Sequence, residues 1–326
     1  MGANQTETPI LLTSFCRPNM TREAILRALN SGYEGLLYVS HDGPIRGFFD
    51  VEHRATRDII TKLKIKYPQI QVIYRDSNHG ITKHIIDSMK KVLEDHDSLI
   101  FLEEDMVISK SGLDFLAEVS KSPQPEHRVA FTRRRHTQSP NLTRSTRFPE
   151  QWGISINKQM FELLRSNFQS ADVDWKIVWR IMRGFGVSPL QRFSSALYWH
   201  RLMKSQISSP HGWDALLQYT CWKAGRLSLV SNDCFVTDLG GKGEPGGYSK
   251  RALTGMEQSV AHVFLGEKCN TQVCHLCEIE DFQNRNINLR ETLRSILRVR
   301  TRLSNSVRFL MVKNLNNQGI LRKLLR

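Results

Sequence analysis

The sequence predicts an α/β protein with a mostly parallel sheet that is flanked by helices. In the first hundred or so residues, short apolar runs of strand length alternate with longer segments of helical periodicity. Such alternation is typical of parallel sheets that helices cover on both faces. The 326 residues are 40% hydrophobic and 9% aromatic, which is enough for a substantial core.

The predicted strands are apolar or β-branched, and the segments between the first four have helical spacing. Strands are predicted at residues 10–15, 35–39, 70–74, 99–102 and 128–132. Helices are predicted at 21–29, with Thr21 as N-cap, and at 51–66 and 81–93. Beyond residue 139 the pattern loosens, but it still indicates a strand at 152–156 and helices at 171–182, 188–204 and 213–222.

Polar residues follow each of the first four strands, where parallel α/β sheets bind their ligands. They are Arg17, then His41 and Asp42, then residues 76–80, then Glu103, Glu104 and Asp105. Because the ends of parallel strands meet at one edge, we expect these side chains to line one cleft. Adjacent carboxylates at a strand end suit Mg²⁺ or Mn²⁺, although a solvated turn is the alternative for the acids alone.

Two further segments are candidates for chemistry. Residues 240–247 (GGKGEPGG) place Lys242 in a glycine-rich loop that could fold over phosphates or could be a plain surface loop. Asp214 opens a helix just after Gly212 and Trp213. Its carboxylate could act as a general base beside the Trp213 ring, or it could simply complement the helix dipole.

The cysteine content indicates the cellular compartment of the protein. The six cysteines are sparse, which favours reduced thiols and a cytoplasmic location. Cys269, Cys274 and Cys277 lack clean zinc-site spacing, so free thiols are favoured over a zinc site there. The sequence predicts no signal peptide, and no window approaches about 18 uninterrupted apolar residues.

The C-terminal segment carries most of the net charge of +14. Residues 285–326 contain eleven Lys and Arg against the single acid Glu291, so about ten of the fourteen excess charges lie there. Residues 289–311 combine an apolar and a basic stripe at helical spacing, which is typical of a helix on an anionic membrane surface. Docking onto the protein body is the alternative, and the aromatic signatures of RNA-binding modules are missing.

The assembled motifs resemble nucleotide-sugar glycosyltransferases of the GT-A fold, and most closely the N-acetylglucosaminyltransferase I type. The motifs that carry the resemblance are ILLTSFCRP, YVSHDGP, NHGITKH, IFLEED, GWD and GGKGEPGG, in the order and at about the spacing of that family. The resemblance spans about residues 10–250. It implies a catalytic domain at 1–265, with a nucleotide-sugar-binding half at 1–138 and an acceptor and catalytic half at 139–265. A cysteine-containing linker and the basic tail would occupy 266–326.

The resemblance also implies residue roles. Arg17, Asp42 and His79 would line the uridine pocket, and Asp105 would bind Mn²⁺ or Mg²⁺ on the diphosphate. Asp214 would take the proton of the acceptor hydroxyl. The remaining contacts to the nucleotide sugar would come from Glu103, Glu104, Trp213, Lys242, Glu244 and Pro245. One carboxylate base without an evident second nucleophile favours an inverting displacement.

The predicted partners are therefore a UDP-sugar donor, a glycan or lipid-linked acceptor, and an anionic membrane surface that the basic helix contacts. We expect a cytoplasmic, peripherally membrane-associated enzyme and no nucleic-acid partner. A nucleotidyltransferase is the alternative among enzymes, since it also needs strand-end acids and a metal. A non-catalytic protein that binds nucleic acid or membranes through the basic tail is the alternative from another class.

Overall fold

A computed structural model describes residues 7–45, 47–121, 129–133, 144–146, 152–170, 172–183, 189–208, 212–226 and 228–238. The predicted glycine-rich loop, the three clustered cysteines and the basic tail lie outside the described residues. The described chain confirms the predicted fold class, because a mostly parallel sheet has helices on both faces.

The first half alternates strand and helix. It comprises β1 (Ile10–Ser14), α1 (Pro18–Asn30), β2 (Leu37–His41), α2 (Asp50–Lys66), β3 (Ile70–Tyr74), α3 (Ile81–Leu93), β4 (Ser98–Glu103), β5 (Met106–Ile108) and α4 (Lys110–Lys121). The bounds of β3 and α3 are those predicted. The prediction that Thr21 caps the first helix is wrong, because α1 already begins at Pro18 and Thr21 is buried inside it. Proline is favoured at a first helical position, since its φ is preset and no N–H is lost there.

The second half contributes more helices and the remaining strands. It comprises β6 (Val129–Arg133), β7 (Arg144–Thr146), β8 (Trp152–Asn157), α5 (Lys158–Ser170), α6 (Trp175–Met182), α7 (Pro189–Ile207), α8 (Trp213–Lys223), β9 (Ser228–Cys234) and β10 (Val236–Asp238). The helix predicted at 171–182 begins four residues later, at Trp175, where the Asp174 side chain accepts a hydrogen bond from the Lys176 N–H.

The main sheet has the strand order β3-β2-β1-β4-β8-β6-β9-β7. The four strands β3, β2, β1 and β4 are parallel neighbours, so their carboxyl ends share one edge of the sheet. Strand β8 runs antiparallel to both β4 and β6. Strands β5 and β10 form a separate antiparallel pair in which Met106 lies opposite Asp238.

Alternate residues of the central strands face two separate cores. Leu11 of β1 and Phe101 of β4 point into the core formed with α3, α5, α6, α7 and α8. Ile10 and Leu12 point into the core formed with α1, α2 and α4. Burial on both faces explains why these strands are continuous apolar runs. It also makes the sheet a rigid frame for the side chains at its carboxyl edge.

Candidate active site

The acids that follow β4 lie beside the carboxyl end of β1. Glu103 is the last residue of β4 and is in register with Thr13 of β1, while Glu104 and Asp105 form the turn into β5. Arg17 follows β1 and precedes α1. The parallel pairing of β1 and β4 therefore brings Arg17 next to acids that are about ninety residues away in the sequence.

Arg17 bridges two of the three acids. Its Nη1 donates to Asp105 Oδ2 at 2.7 Å, and its Nε lies 2.9 Å from Glu104 Oε1. The three side chains are only 13%, 14% and 9% exposed for Arg17, Asp105 and Glu104. Burial alone would lower the pKa of Arg17, but the charges of Glu104 and Asp105 raise it above its ordinary value. The guanidinium is thus held as a cation between two carboxylates.

The positive charge of Arg17 offsets the surroundings of Glu103 only in part. The burial of Glu103, together with the charges of Asp105, Glu104 and Asp214, raises the pKa of its carboxyl group to about 8, and Arg17 opposes this only in part. Like charges that share a site disfavour ionisation in this way. Burial and the neighbouring carboxylates therefore disfavour the ionised form of Glu103 at the end of β4.

Asp214 reaches the same place from the other half of the chain. It lies in the first turn of α8, and its Oδ1 accepts a hydrogen bond from the Ala215 N–H at 2.8 Å. Its pKa is raised by burial, and its charge is close enough to contribute to the raised pKa of Glu103. A base with a raised pKa is better matched to proton transfer near neutral pH than an ordinary aspartate.

Close packing fixes the position of the first turn of α8. A side chain on Gly212 would meet the backbone carbonyl oxygen of Gln206 at 1.7 Å, so only glycine allows the chain to pass the end of α7 there. The Trp213 ring packs edge-on against Phe101 of β4, with 5.0 Å between ring centroids. Trp213 is 4% exposed, so in this structure it anchors α8 to the sheet, and its contact with a sugar stays a prediction.

Asp42 occupies a different environment, at the ends of β2 and β3. Its Oδ1 accepts hydrogen bonds from the backbone N–H groups of Gly43 and His79, at 2.9 and 3.0 Å. Its Oδ2 accepts one from Asn78 Nδ2 at 3.0 Å. The side chain is buried, and it joins the loop after β2 to the loop after β3. A Cβ on Gly43 would lie 2.2 Å from the backbone of Ser77, which shows how closely the two loops approach.

His79 lies on the rim of the Asp42 network. Its Nδ1 is 3.0 Å from Asp87 Oδ2, and its side chain is about one quarter exposed. Burial and side-chain hydrogen bonds act in opposite directions on Asp87, and the bonds from Lys83 and His79 leave the pKa of Asp87 lowered. His79 is therefore the more accessible of the two residues predicted to line the nucleoside pocket at this end.

Histidine rings fill the space behind Asp42. His41 Nδ1 is 3.2 Å from Ser14 Oγ, and the His41 and His53 ring centroids are 4.4 Å apart. Burial, followed by the charge of His53, lowers the pKa of His41 to about 3, so its ring is neutral at physiological pH. The sequence indicated only that His41 follows a strand, because His53 joins the cluster through the packing of α2.

Several predicted site residues lie outside the described part of the chain, namely Lys242, Glu244 and Pro245. Within the described ranges, no group of three or more His, Cys, Asp or Glu side chains is arranged to hold a metal ion. Among the helices of that same part of the chain, none is long and apolar enough to cross a membrane.

Comparisons with known proteins found structural likeness only. No protein-family model and no curated protein matches the sequence. The mannosyltransferase PcManGT from Pyrobaculum calidifontis, in complex with GDP-Man and Mn²⁺, aligns over 97% of this chain and 82% of its own, with 8% identity and a TM-score of 0.46. TarS 1-349 from S. aureus aligns over 72% of this chain, with 9% identity and a TM-score of 0.42, and this chain spans 61% of it. At these TM-scores neither likeness carries an argument about function.

Proposed function

We propose that this chain is a metal-dependent glycosyltransferase with the GT-A organisation. It would move a hexose or N-acetylhexosamine from a UDP-sugar to a glycan or lipid-linked acceptor. The observation that carries the proposal is the meeting of acids from two distant segments at one sheet edge. The charge of Asp214 acts on Glu103, which in turn lies beside Asp105 and the Arg17 guanidinium.

The chemistry of these side chains fits a hard divalent cation that is shared with a diphosphate. Mg²⁺ and Mn²⁺ take oxygen ligands, and Mg²⁺ in particular is commonly held by one or two carboxylates plus substrate phosphates. Asp105 would hold the ion, which would stabilise the charge that develops on the departing diphosphate. Asp105 alone supplies too few oxygens for such an ion, so the diphosphate and water would complete its coordination.

The transfer itself is proposed to be a single inverting displacement. The acceptor hydroxyl oxygen forms a bond to the anomeric carbon, and the bond from that carbon to the diphosphate oxygen breaks. Asp214 takes the proton of the acceptor hydroxyl, for which its raised pKa suits it. Glu103 and Glu104 would lie against the donor sugar and ribose. Trp213 would hold the first turn of α8, which carries Asp214, against Phe101.

The nucleoside would lie at the ends of β1, β2 and β3. Asp42 shapes this part of the cleft by joining the two loops, and His79 offers an accessible ring beside it. The glycine-rich loop, with Lys242, Glu244 and Pro245, is proposed to close over the donor. Strand β10 ends at Asp238, opposite Met106 and therefore next to the acid turn, two residues before that loop begins in the sequence.

The basic C-terminal segment is proposed to bring the enzyme to its acceptor. Residues 1–265 would form the catalytic domain, and 266–326 would contact an anionic membrane surface from the cytoplasmic side. The support is compositional, since about ten of the fourteen excess positive charges lie in residues 285–326. Deletion of 289–326 should abolish sedimentation with anionic vesicles and leave hydrolysis of the donor in solution intact.

A thermal-shift panel tests the proposed function directly. The full chain is heated with UDP, GDP, their sugars and the free sugars, each with and without Mn²⁺, because a ligand that binds only the folded state raises the melting temperature. We expect stabilisation by a nucleoside diphosphate sugar that is larger with Mn²⁺ than without it. An absence of stabilisation by every nucleotide would refute the proposal.

Product analysis separates the proposal from its two alternatives. A glycosyltransferase releases a nucleoside diphosphate from the donor, whereas a nucleotidyltransferase would consume or release pyrophosphate. A non-catalytic adaptor would release neither product. Any background release would be the same when Asp214 is replaced. The Asp214→Asn variant therefore serves as the blank in the same assay.

A further inference from the structure

The segment that contains α6 and α7 has basic side chains and no acidic ones. Residues 175–208 contain six Lys and Arg and no Asp or Glu, and the next acid along the chain is Asp214. Of the net charge of +14, residues 285–326 carry +10 and residues 175–208 carry +6, so the rest of the chain has a net charge of −2. Outside the C-terminal segment, the excess positive charge therefore belongs to this pair of helices and their connection.

The six cations of this segment lie at the protein surface. Lys176, Arg180 and Arg183 are spaced by four and three residues, which places them on one side of α6. Like charges at this spacing repel one another, and an anionic partner relieves that repulsion. All six residues are exposed, namely Lys176, Arg180, Arg183, Arg192, Arg201 and Lys204.

Partly exposed aromatic rings lie between the two helices. The rings of Trp175 and Trp179 are nearly parallel, with 17° between their planes and 6.2 Å between their centroids. Phe193 of α7 meets both rings edge-on, at centroid distances of 5.9 and 6.5 Å. Indole rings next to exposed Lys and Arg are typical of protein surfaces that lie at a membrane–water interface. We call these three rings and the six cations the α6–α7 surface.

The α6–α7 surface belongs to the part of the fold that packs around α8. At one end of α8, a Cβ on Gly212 would lie 1.7 Å from the carbonyl oxygen of Gln206 in α7, and Gly212 directly precedes the turn that carries Asp214. At the other end, Arg180 Nη2 of α6 donates to the Trp222 carbonyl at 2.9 Å. A partner that contacts α6 and α7 therefore lies next to the helix that carries the proposed base.

We propose that the α6–α7 surface docks on an anionic phospholipid membrane, with its cations at the headgroups and its indole rings at the interface. The inference rests on the proposed function in one respect, since an enzyme held in this way meets a lipid-linked acceptor on the side of Asp214. The helical pair is a second membrane contact beside residues 266–326. Two contacts in one chain bind more tightly than either alone, and they also fix the orientation of the fold on the membrane.

A single-stranded nucleic acid is the other polyanion that a basic and aromatic surface can bind. It needs open ring faces on which its bases can stack. Trp175 and Trp179 pack on each other and against Phe193, so their faces are covered in part. The packing therefore favours the lipid surface, and an oligonucleotide enters the experiment as a competitor.

Vesicle flotation measures the membrane contact. The full wild-type chain and a triple variant, Lys176→Gln with Arg183→Gln and Lys204→Gln, are mixed with phosphatidylcholine vesicles that contain or lack phosphatidylglycerol. We expect the wild type to bind the anionic vesicles more tightly than the neutral ones. The triple variant should bind the anionic vesicles at least about tenfold more weakly, because each cation near an anionic membrane surface contributes severalfold to the affinity.

The matched control removes the same charge from the other face of the sheet. It combines Arg22→Gln of α1 with Lys62→Gln and Lys66→Gln of α2, all at exposed positions. Because exposed charges more than about 10 Å from the membrane are largely screened, the control should weaken vesicle binding less than about twofold. Circular dichroism establishes that both triple variants are folded.

Brominated phosphatidylcholine tests the placement of the aromatic rings, since bromine quenches an indole that enters the bilayer surface. Anionic vesicles that contain this lipid should quench the tryptophan fluorescence of the bound wild type. Trp179→Phe keeps an apolar ring and should lower the quenched fraction while the chain still binds. Unquenched fluorescence of the vesicle-bound wild type would overturn the inference.

Three other results would also overturn the inference. Unchanged binding of the triple variant of α6 and α7 would mean that this surface does not contact the membrane. Equal losses in the two triple variants would mean that only net charge matters. An oligonucleotide that displaces the wild type from the vesicles and binds it through the same three cations would assign the surface to nucleic acid.

The release of nucleoside diphosphate in solution separates the inference from the proposed function. The triple variant of α6 and α7 should release it at the wild-type rate, since none of its three residues has a part in the transfer. If vesicle binding does not depend on them and release persists, only the inference is wrong. If vesicle binding depends on them but the wild type releases nucleoside diphosphate from no donor, the membrane contact stands and the proposed function is wrong.

Discussion

Asp42 and the acids at the end of β4 lie at the same edge of the sheet, two strands apart, in different surroundings. The Asp42 carboxylate accepts three hydrogen bonds from Gly43, Asn78 and His79. At the end of β4, Glu103 has its pKa raised to about 8 by burial and by the neighbouring carboxylates. The Asp42 carboxylate is satisfied by hydrogen bonds within the protein, whereas neighbouring carboxylates and burial disfavour the ionised form of Glu103.

The difference separates a carboxylate that builds the cleft from carboxylates that can perform chemistry in it. Satisfied buried acids stabilise the loops that they join, and their removal leaves donors without acceptors. Crowded acids lower stability and favour cations or protons, as functional sites commonly do. Substitution of the acids that perform chemistry should therefore lower turnover, whereas substitution of Asp42 should lower the stability of the fold.

The largest effect is expected at Asp214. Asp214→Asn should lower turnover by about a hundredfold or more, because general base catalysis typically contributes that much. Donor binding should be unchanged, since the base acts on the acceptor. Steady-state kinetics together with donor titration measure both quantities, and an unchanged turnover number would remove Asp214 as the base.

Asp42→Asn should instead reduce stability. The amide offers one acceptor oxygen where the carboxylate offered two, and its NH₂ group would face donors, so we expect a loss of about 1–3 kcal/mol in the free energy of unfolding. Chemical denaturation measures it. The matched control is Asp58→Asn on the exposed face of α2, which should be neutral. A neutral Asp42→Asn would show that the loops do not depend on this carboxylate.

Glu103 should make stability depend on pH. Its folded pKa of about 8 lies above the ordinary value of 4.5, so the folded state holds a proton that the unfolded state releases. This group therefore lowers the stability of the fold progressively as the pH rises from about 4.5 to about 8. Glu103→Gln should remove that slope in metal-free buffer, and the exposed Glu118→Gln should keep it. Parallel profiles for wild type and Glu103→Gln would contradict the raised pKa.

The smallest effect is expected at Gln218, one helical turn after Asp214. Its side chain is 1% exposed, and neither amide atom has a hydrogen-bond partner among the described residues. Gln218→Met should raise the free energy of unfolding by about 1 kcal/mol, because it removes a buried polar group without a partner. Gln71→Met, on an exposed position of β3, is the control. A destabilised Gln218→Met would mean that the amide is satisfied in solution.

The sequence predicted the first half of the fold well, because the apolar patterns typical of strands and of helices are both clear there. The predicted and observed bounds of β3 and α3 coincide, since apolar and polar residues alternate sharply at their ends. Helix α4 was not predicted, because Gly112 weakens its helical pattern. The structure supplies the reason for that glycine, since a Cβ there would lie 2.6 Å from Phe235 Cβ.

The candidate site was predictable only as a set of residues at one sheet edge. Strand order placed the acids and Arg17 together in general terms, but the contact between Arg17 and Asp105 joins residues 88 positions apart. The approach of Asp214 to Glu103 depends on how α8 packs against Phe101, which no local pattern encodes. Side-chain pairing across elements is a property of the packed fold and not of spacing in the chain.

The most direct test of the central claim is the release of nucleoside diphosphate from UDP-sugars and GDP-sugars by wild type and Asp105→Ala, each with Mn²⁺ and with EDTA. We predict release by the wild type only with the metal, and none above background by a folded Asp105→Ala. Metal-independent release by the wild type, or full release by Asp105→Ala, would contradict the assignment of the acids after β4 as the metal-dependent centre of a glycosyltransferase.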